Sequence, residues 1–219
     1  MVKQERAART QCSLIRAAAE VFAEAGFAPV SLTAVSRRAG VSNGALHFHF
    51  ATKQALAQAV EDAAARTVRQ ITADAAGEDA TLQGLVDATH ELISRSARDV
   101  VVRAGFGLSR DPQGAGSPRL EWQHWVEGVL RSAQKKGQLA AGVSAAGAAR
   151  TIAAATFGFE VLGVTDRSWL SEERITGFWD LVLPGLAQQD APAPVSSRFT
   201  GCAGGAGRPS PWSCPQEPE

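Results

Sequence analysis

The stretch VSNGALHFHF, residues 41–50, holds two of the chain's four histidines, His47 and His49. Imidazole can bind a metal, relay a proton or donate to a phosphate, and the spacing decides among these. On a helix, residues two apart point about 200° from each other, whereas residues four apart converge. His47 and His49 therefore cannot share a metal, and the three cysteines (Cys12, Cys202, Cys214) form no CxxC pair and have no nearby histidine. They imply neither a zinc site nor a disulfide framework, and no metal or cofactor is expected. The same rotation gathers Asn43, Gly44 and His47 within about 100° of arc, with Leu46 and Phe50 on a neighbouring stripe suited to a core. Asn43 offers the donor and acceptor that suit a base edge such as adenine's, Gly44 lets backbone approach closely, and His47 is a donor at the edge of a groove. His49, on the far side, is expected to pack and to bond to backbone.

Such a face works only if the elements around it hold it still. In RAARTQCSLIRAAAEVFAEAG the residues Ile15, Ala18, Phe22 and Ala25 recur at helical spacing, and Gly26 stops the run. SLTAVSRRAG begins with Ser31 as an N-cap and buries Leu32 and Val35. Gly40 breaks the chain, Ser42 caps again, and a short helix covers residues 43–49. Two helices joined by the tight turn Ala39-Gly40-Val41-Ser42 make a helix-turn-helix, whose second helix must keep one side free of bulk to enter a major groove. Ser31, Thr33, Ser42, His47 and Lys53 can donate to flanking phosphates, which fixes register without reading sequence. Ser31 and Thr52 serve equally well as ordinary helix caps.

Past Thr52, a stripe of Leu56, Val60, Ala64, Val68 and Ile71 marks a longer helix ending at Gly77-Glu78-Asp79. Further helices are expected at about 80–96, 98–109, 118–137, 144–164 and 171–188, separated by DPQGAGSP, KKGQLAAGVS and TDRSWLS. Period-2 alternation is absent, so the expected fold is all-α, with about nine helices. From about Asp190 the composition turns to Pro, Gly and Ser, which predicts a mobile, unpacked tail over 190–219.

Bulk properties narrow the partners. Lys plus Arg and Asp plus Glu number 22 each. Over residues 1–53, however, Lys3, Arg6, Arg9, Arg16, Arg37, Arg38 and Lys53 face only Glu5, Glu20 and Glu24, a local net charge of +4. A basic amino-terminal segment on a neutral chain is a modest nucleic-acid signal. No apolar run reaches the roughly 18–20 residues of a membrane span, and no secretory signal is visible, so the reducing cytoplasm is expected. HExxH, GxSxG, a phosphate-binding glycine loop and a Cys–His pairing are all missing, which argues against an enzyme.

Residues 10–60 closely resemble the amino-terminal domain of TetR-family transcriptional repressors, through IRAAAEVFAEAGF, SLTAVSRRAGVSNGALHFHF and ATKQAL. GALHFHFATKQALAQAV, VVRAGFGLSR and EWQHW carry a narrower likeness to the γ-butyrolactone receptor group of actinomycetes, which includes its pseudo-receptors. The resemblance implies a helix-turn-helix DNA-binding domain over 1–55 and a ligand-binding and dimerisation domain over 56–189. It further implies a homodimer on double-stranded DNA, at a pseudo-palindromic operator, released by a small-molecule inducer. The inducer would be a γ-butyrolactone or an antibiotic-like compound, and antibiotic biosynthesis the process controlled. A generic drug-efflux repressor of the same family is the alternative; it would usually carry acidic pocket residues for cationic drugs. Trp122 matches a tryptophan that lines the signalling-molecule pocket in that group, with Trp125, Phe106, Leu108, Phe157 and Phe159 as further wall residues. The Ala- and Gly-rich run AAGAARTIAAATFGF and the helix SEERITGFWDLVL would form the dimer face, and Pro184 would kink or end the latter.

Two departures from the family pattern have consequences. Asn43 stands where a lysine is common, which should alter base preference. His47 stands where a tyrosine is common, and histidine is the side chain that gains charge between pH 8 and 6. Operator affinity is predicted to rise as pH falls from about 8 to about 6, and to rise more than in a His47→Tyr variant. Fluorescence anisotropy across that range checks this, and equal pH profiles for the two proteins would remove the idea.

Overall fold

The computed structural model describes residues 2–76, 81–109, 117–188 and 194–201. Among them lie nine α-helices, one 3₁₀ turn and no strand longer than a single bridge. The described residues divide into two compact units, the first made of residues 2–67, 99–109 and 117–118, the second of 68–76, 81–98, 119–188 and 194–201.

The first unit begins with α1 (Val2–Ala25), where Ile15, Ala18 and Phe22 are buried and Ala25, at the exposed end, is not. Gly26 follows at φ 76°. Next come α2 (Leu32–Arg38) and α3 (Asn43–His49), then α4 (Lys53–Ala76), whose stripe from Leu56 to Ile71 is buried throughout. Each start is capped as the residue types predict. The Ser31, Ser42 and Thr52 hydroxyl oxygens accept from the amides of Ala34, Ala45 and Ala55 at 3.2, 3.1 and 3.0 Å. Gly40, at φ 68°, makes the turn between α2 and α3 in a conformation that a side chain would strain.

The division differs from the expected boundary at residue 55. The first core is completed by Leu56, Val60 and Ala63 of α4 and by Val101 and Ala104 of α6 (Val100–Leu108). Gly105 allows α6 to lie against α4, because a Cβ there would sit 2.3 Å from the Ala64 Cβ. Glu20 and Glu24 are bridged by Arg38 of α2 at 3.2 and 2.8 Å, and this holds the Glu24 carboxyl below its ordinary range.

The second unit contains the rest of α4, α5 (Leu82–Arg98), α7 (Pro118–Lys135), α8 (Ala145–Thr165), the 3₁₀ turn Arg167–Leu170 and α9 (Glu172–Leu186). Its core includes Leu85, Leu92, Trp122, Leu130, Ile152, Ile175 and Trp179. Pro184 is tolerated inside α9, which ends two residues later. The expected break at 77–79 and most of that at 111–118 lie outside the described residues.

Of the expected tail, residues 190–193 and 202–219 lie outside the described residues, while 194–201 are docked on α5. Ser196 N donates to Gln83 Oε1 (2.8 Å), and the Ser197 carbonyl accepts from His90 Nε2 (2.9 Å). Thr200 donates to the Asp87 carboxylate through both its amide (3.0 Å) and its hydroxyl (2.8 Å). Gln83, Asp87 and His90 recur at helical spacing along α5, so they present one polar row to the segment. The composition of the tail did not show this, because the contacts are backbone and hydroxyl bonds to another element rather than an apolar stripe of its own. Asp87→Ala should speed hydrogen exchange of the Thr200 amide at least tenfold and cost about 1–3 kcal/mol of stability. Unchanged exchange at Thr200 would contradict the docking.

Candidate nucleic-acid interface

A seven-residue helix has too few internal bonds to hold its own shape in water, so α3 depends on what it buries. Leu46 is fully buried and the following Phe50 nearly so, both in the cluster that contains Leu14, Phe22, Val35 and Leu56. That anchoring turns Asn43, Gly44, His47 and Phe48 outward, where all four are exposed. His49 is half-buried, its ring edge-on to Phe48 at a centroid distance of 5.2 Å. Among the described residues no backbone group bonds to it, so ring packing holds it in place of the expected hydrogen bond.

Asn43 is not a free two-point reader. Its side-chain oxygen lies 2.5 Å from the hydroxyl of buried Ser36, which also lies 3.0 Å from the Thr33 carbonyl. A serine hydroxyl has one proton, so it serves one of these acceptors, or the Asn43 amide turns over and donates to it. In either case one end of the Asn43 amide is spent on tying α3 to α2, and the other end faces out.

The phosphate candidates also differ in their freedom. Ser31 and Ser42 use hydroxyl oxygen lone pairs as caps and keep their protons, and Thr33 is exposed. Lys53 is committed inward: its ammonium donates to the Phe27 and Ala28 carbonyls at 3.0 Å each and sits 4.5 Å from the Phe27 ring centroid. Sequence reading missed Phe48 altogether. It is one aromatic in a run of aromatics, and only burial separates it from Phe50.

Residues 14–60 match the family of bacterial regulatory proteins named tetR. The A-factor receptor protein of Streptomyces griseus is 31% identical over 191 residues, 85% of this chain and 67% of that receptor. This chain is a member of the TetR family. Its fold agrees with solved members: a γ-butyrolactone receptor (an ArpA-like protein) superposes with TM-score 0.71 at 26% identity, covering 84% of this chain and 91% of the other. CprB from Streptomyces coelicolor, solved with its biological operator sequence, gives TM-score 0.71 at 27% identity over the same shares. The γ-butyrolactone receptor likeness read from the sequence therefore stands.

In this TetR-family chain the ligand-wall candidates fall in both compact units. Trp122 is fully buried beside Trp125, ring centroids 5.2 Å apart, and its indole N–H has no partner among the described residues. Phe157 carries the Arg119 guanidinium 5.3 Å from its ring. Phe159 packs against Phe178 and Trp169 and lines an open groove with them. Phe106, buried, and Leu108, half-buried, belong to the first unit. A separate cavity of about 380 Å³ is lined by His90, Ser94, Arg98, Leu170, Ile175 and Phe199, none of them anticipated.

Also unanticipated is Glu160, buried on α8 within the apolar run TFGFEVLGV. The Ser96 hydroxyl donates to one carboxyl oxygen, while the other has no partner among the described residues. Burial pushes this carboxyl up from 4.5 to about 8, against the opposing pull of the Ser96 bond and the Arg119 charge. Between those values the folded chain holds a proton that the unfolded chain has released, so stability falls as pH rises through that window and levels off above it. The stability gained by Glu160→Gln should therefore grow from pH 5 to pH 8. Urea unfolding of both proteins measures this, and a gain independent of pH would contradict it.

Proposed function

We propose that this chain is a ligand-released transcriptional repressor acting in the cytoplasm, with α3 as its reading head. The observation that carries the reading is the exposed face of α3 (Asn43, Gly44, His47, Phe48), held outward by the burial of Leu46 and Phe50. The relative named for its operator complex and the relative named a receptor for A-factor point to the same pair of partners, duplex DNA and a small molecule. A further solved relative, 29% identical with TM-score 0.69, is described under control of antibiotic production by bacterial hormones, which supports antibiotic biosynthesis as the process controlled.

A homodimer places two such heads on the half-sites of a pseudo-palindrome. Val161, Leu162 and Val164 near the end of α8 and Leu181 on α9 are exposed large apolar residues, the kind a partner copy would cover. Ligand and operator would favour different states of the dimer, so each lowers the affinity for the other by the same factor. The inducer class proposed is a γ-butyrolactone or an antibiotic intermediate. Glu160 does not favour the drug-efflux alternative, because a carboxyl with its midpoint near 8 is largely uncharged at neutral pH and offers no fixed charge to a cationic drug. The unpartnered Trp122 N–H is the donor we assign to orienting the inducer.

The test is a mobility-shift assay on DNA upstream of the chain's own coding region, with butyrolactones and antibiotic intermediates as releasing agents. A salt-sensitive retarded complex, dissolved by one of these, is expected; no complex even at low salt would overturn the reading. Trp122→Phe keeps the ring and removes the N–H. It should bind operator normally but need at least fivefold more of the releasing compound, and an unchanged response would remove Trp122 from the pocket.

A further inference from the structure

Phe48 is 82% exposed, the most exposed of the large apolar side chains among the described residues. Leaving so much ring in water is unfavourable, and nothing in the first unit covers it. It lies four residues after Gly44 and one after His47, on the rim of the face assigned to DNA. The Gly44 side of that rim is bare: a Cβ placed there would meet only the Ser42 hydroxyl, at 3.9 Å. The Phe48 ring thus stands beside a clear approach to the helix backbone, flanked by the perpendicular His49 ring.

Polar readout by α3 is limited. Asn43 spends one end of its amide on Ser36, which leaves that amide's other end and the His47 ring as the outward polar groups. An aromatic ring cannot donate to a phosphate, and the apolar feature that a major groove presents is the thymine 5-methyl group. We propose that Phe48 is a specificity-determining residue that reads thymine through that methyl group in each operator half-site. The inference rests on the DNA-binding reading above. A DNA occupant is favoured by the helix-turn-helix geometry and by the net +4 charge that residues 1–53 carry.

The test isolates the methyl group. Duplexes are selected from a random pool with the full-length chain, and each thymine of the selected site is replaced singly by deoxyuridine. Affinities for the original chain and for Phe48→Ala are then measured by anisotropy. The original chain should lose about fourfold for each contacted methyl at one or two positions of the half-site. Phe48→Ala should bind more weakly overall and bind thymine and uracil equally at those positions, with circular dichroism unchanged. The proposal is overturned if no substitution weakens the original chain, if Phe48→Ala keeps the same thymine preference, or if the selected half-sites contain no thymine. Failure of the original chain to select any duplex overturns the DNA-binding reading itself, and so separates the two failures.

Discussion

Everything assigned to the reading head depends on one packing constraint: Leu46 and Phe50 must stay buried between α1, α2 and α4. Two turns of helix cannot persist alone. Once Leu46 is at zero exposure beneath it, α3 has a single rotation about its axis, and the outward set follows from geometry. The Ser36–Asn43 hydrogen bond adds a polar tie between the paired helices, so their crossing is fixed by both an apolar and a directional contact. Gly40 makes the turn compact enough for the two to coexist. Lys53 ties the start of α4 to the Phe27 and Ala28 carbonyls, which anchors the element that continues into the second unit.

The second unit shows a different economy. Its core is apolar and Ala-rich, yet it retains three buried polar atoms without partners among the described residues: the Trp122 and Trp179 indole nitrogens and one Glu160 oxygen. Each costs stability unless something compensates. A core optimised for stability alone would have replaced them, and local violations of that kind concentrate where function requires them.

Much of the architecture was legible in the amino-acid order, because caps and periodicity act locally. Ser31, Ser42 and Thr52 start helices through bonds three residues long, and Gly26 and Gly40 interrupt them through backbone angles alone. The angular separation of His47 from His49 needed only the helical repeat. What stayed hidden was long-range. The Asn43 tie to Ser36 depends on how two helices cross, and the docking of Thr200 on Asp87 spans 113 residues. Phe48 and Phe50 are the same residue type two positions apart, and only the position of the neighbouring helices makes one exposed and the other buried. Glu160 is one polar residue in an apolar run of the sequence, and only its burial in the folded chain gives it a displaced titration.

The central claim is that the Gly44 side of the outward face of α3 is free for DNA and not needed for folding. Gly44→Leu separates these roles, since Leu has the higher helix propensity and the site has room for a side chain. Thermal unfolding and operator affinity measured on this one variant give the decision. The account predicts a melting temperature equal to or above that of the original chain, with operator affinity reduced at least a hundredfold. Operator affinity within threefold of the original would contradict it, because a bulky side chain at Gly44 could not then lie against the DNA.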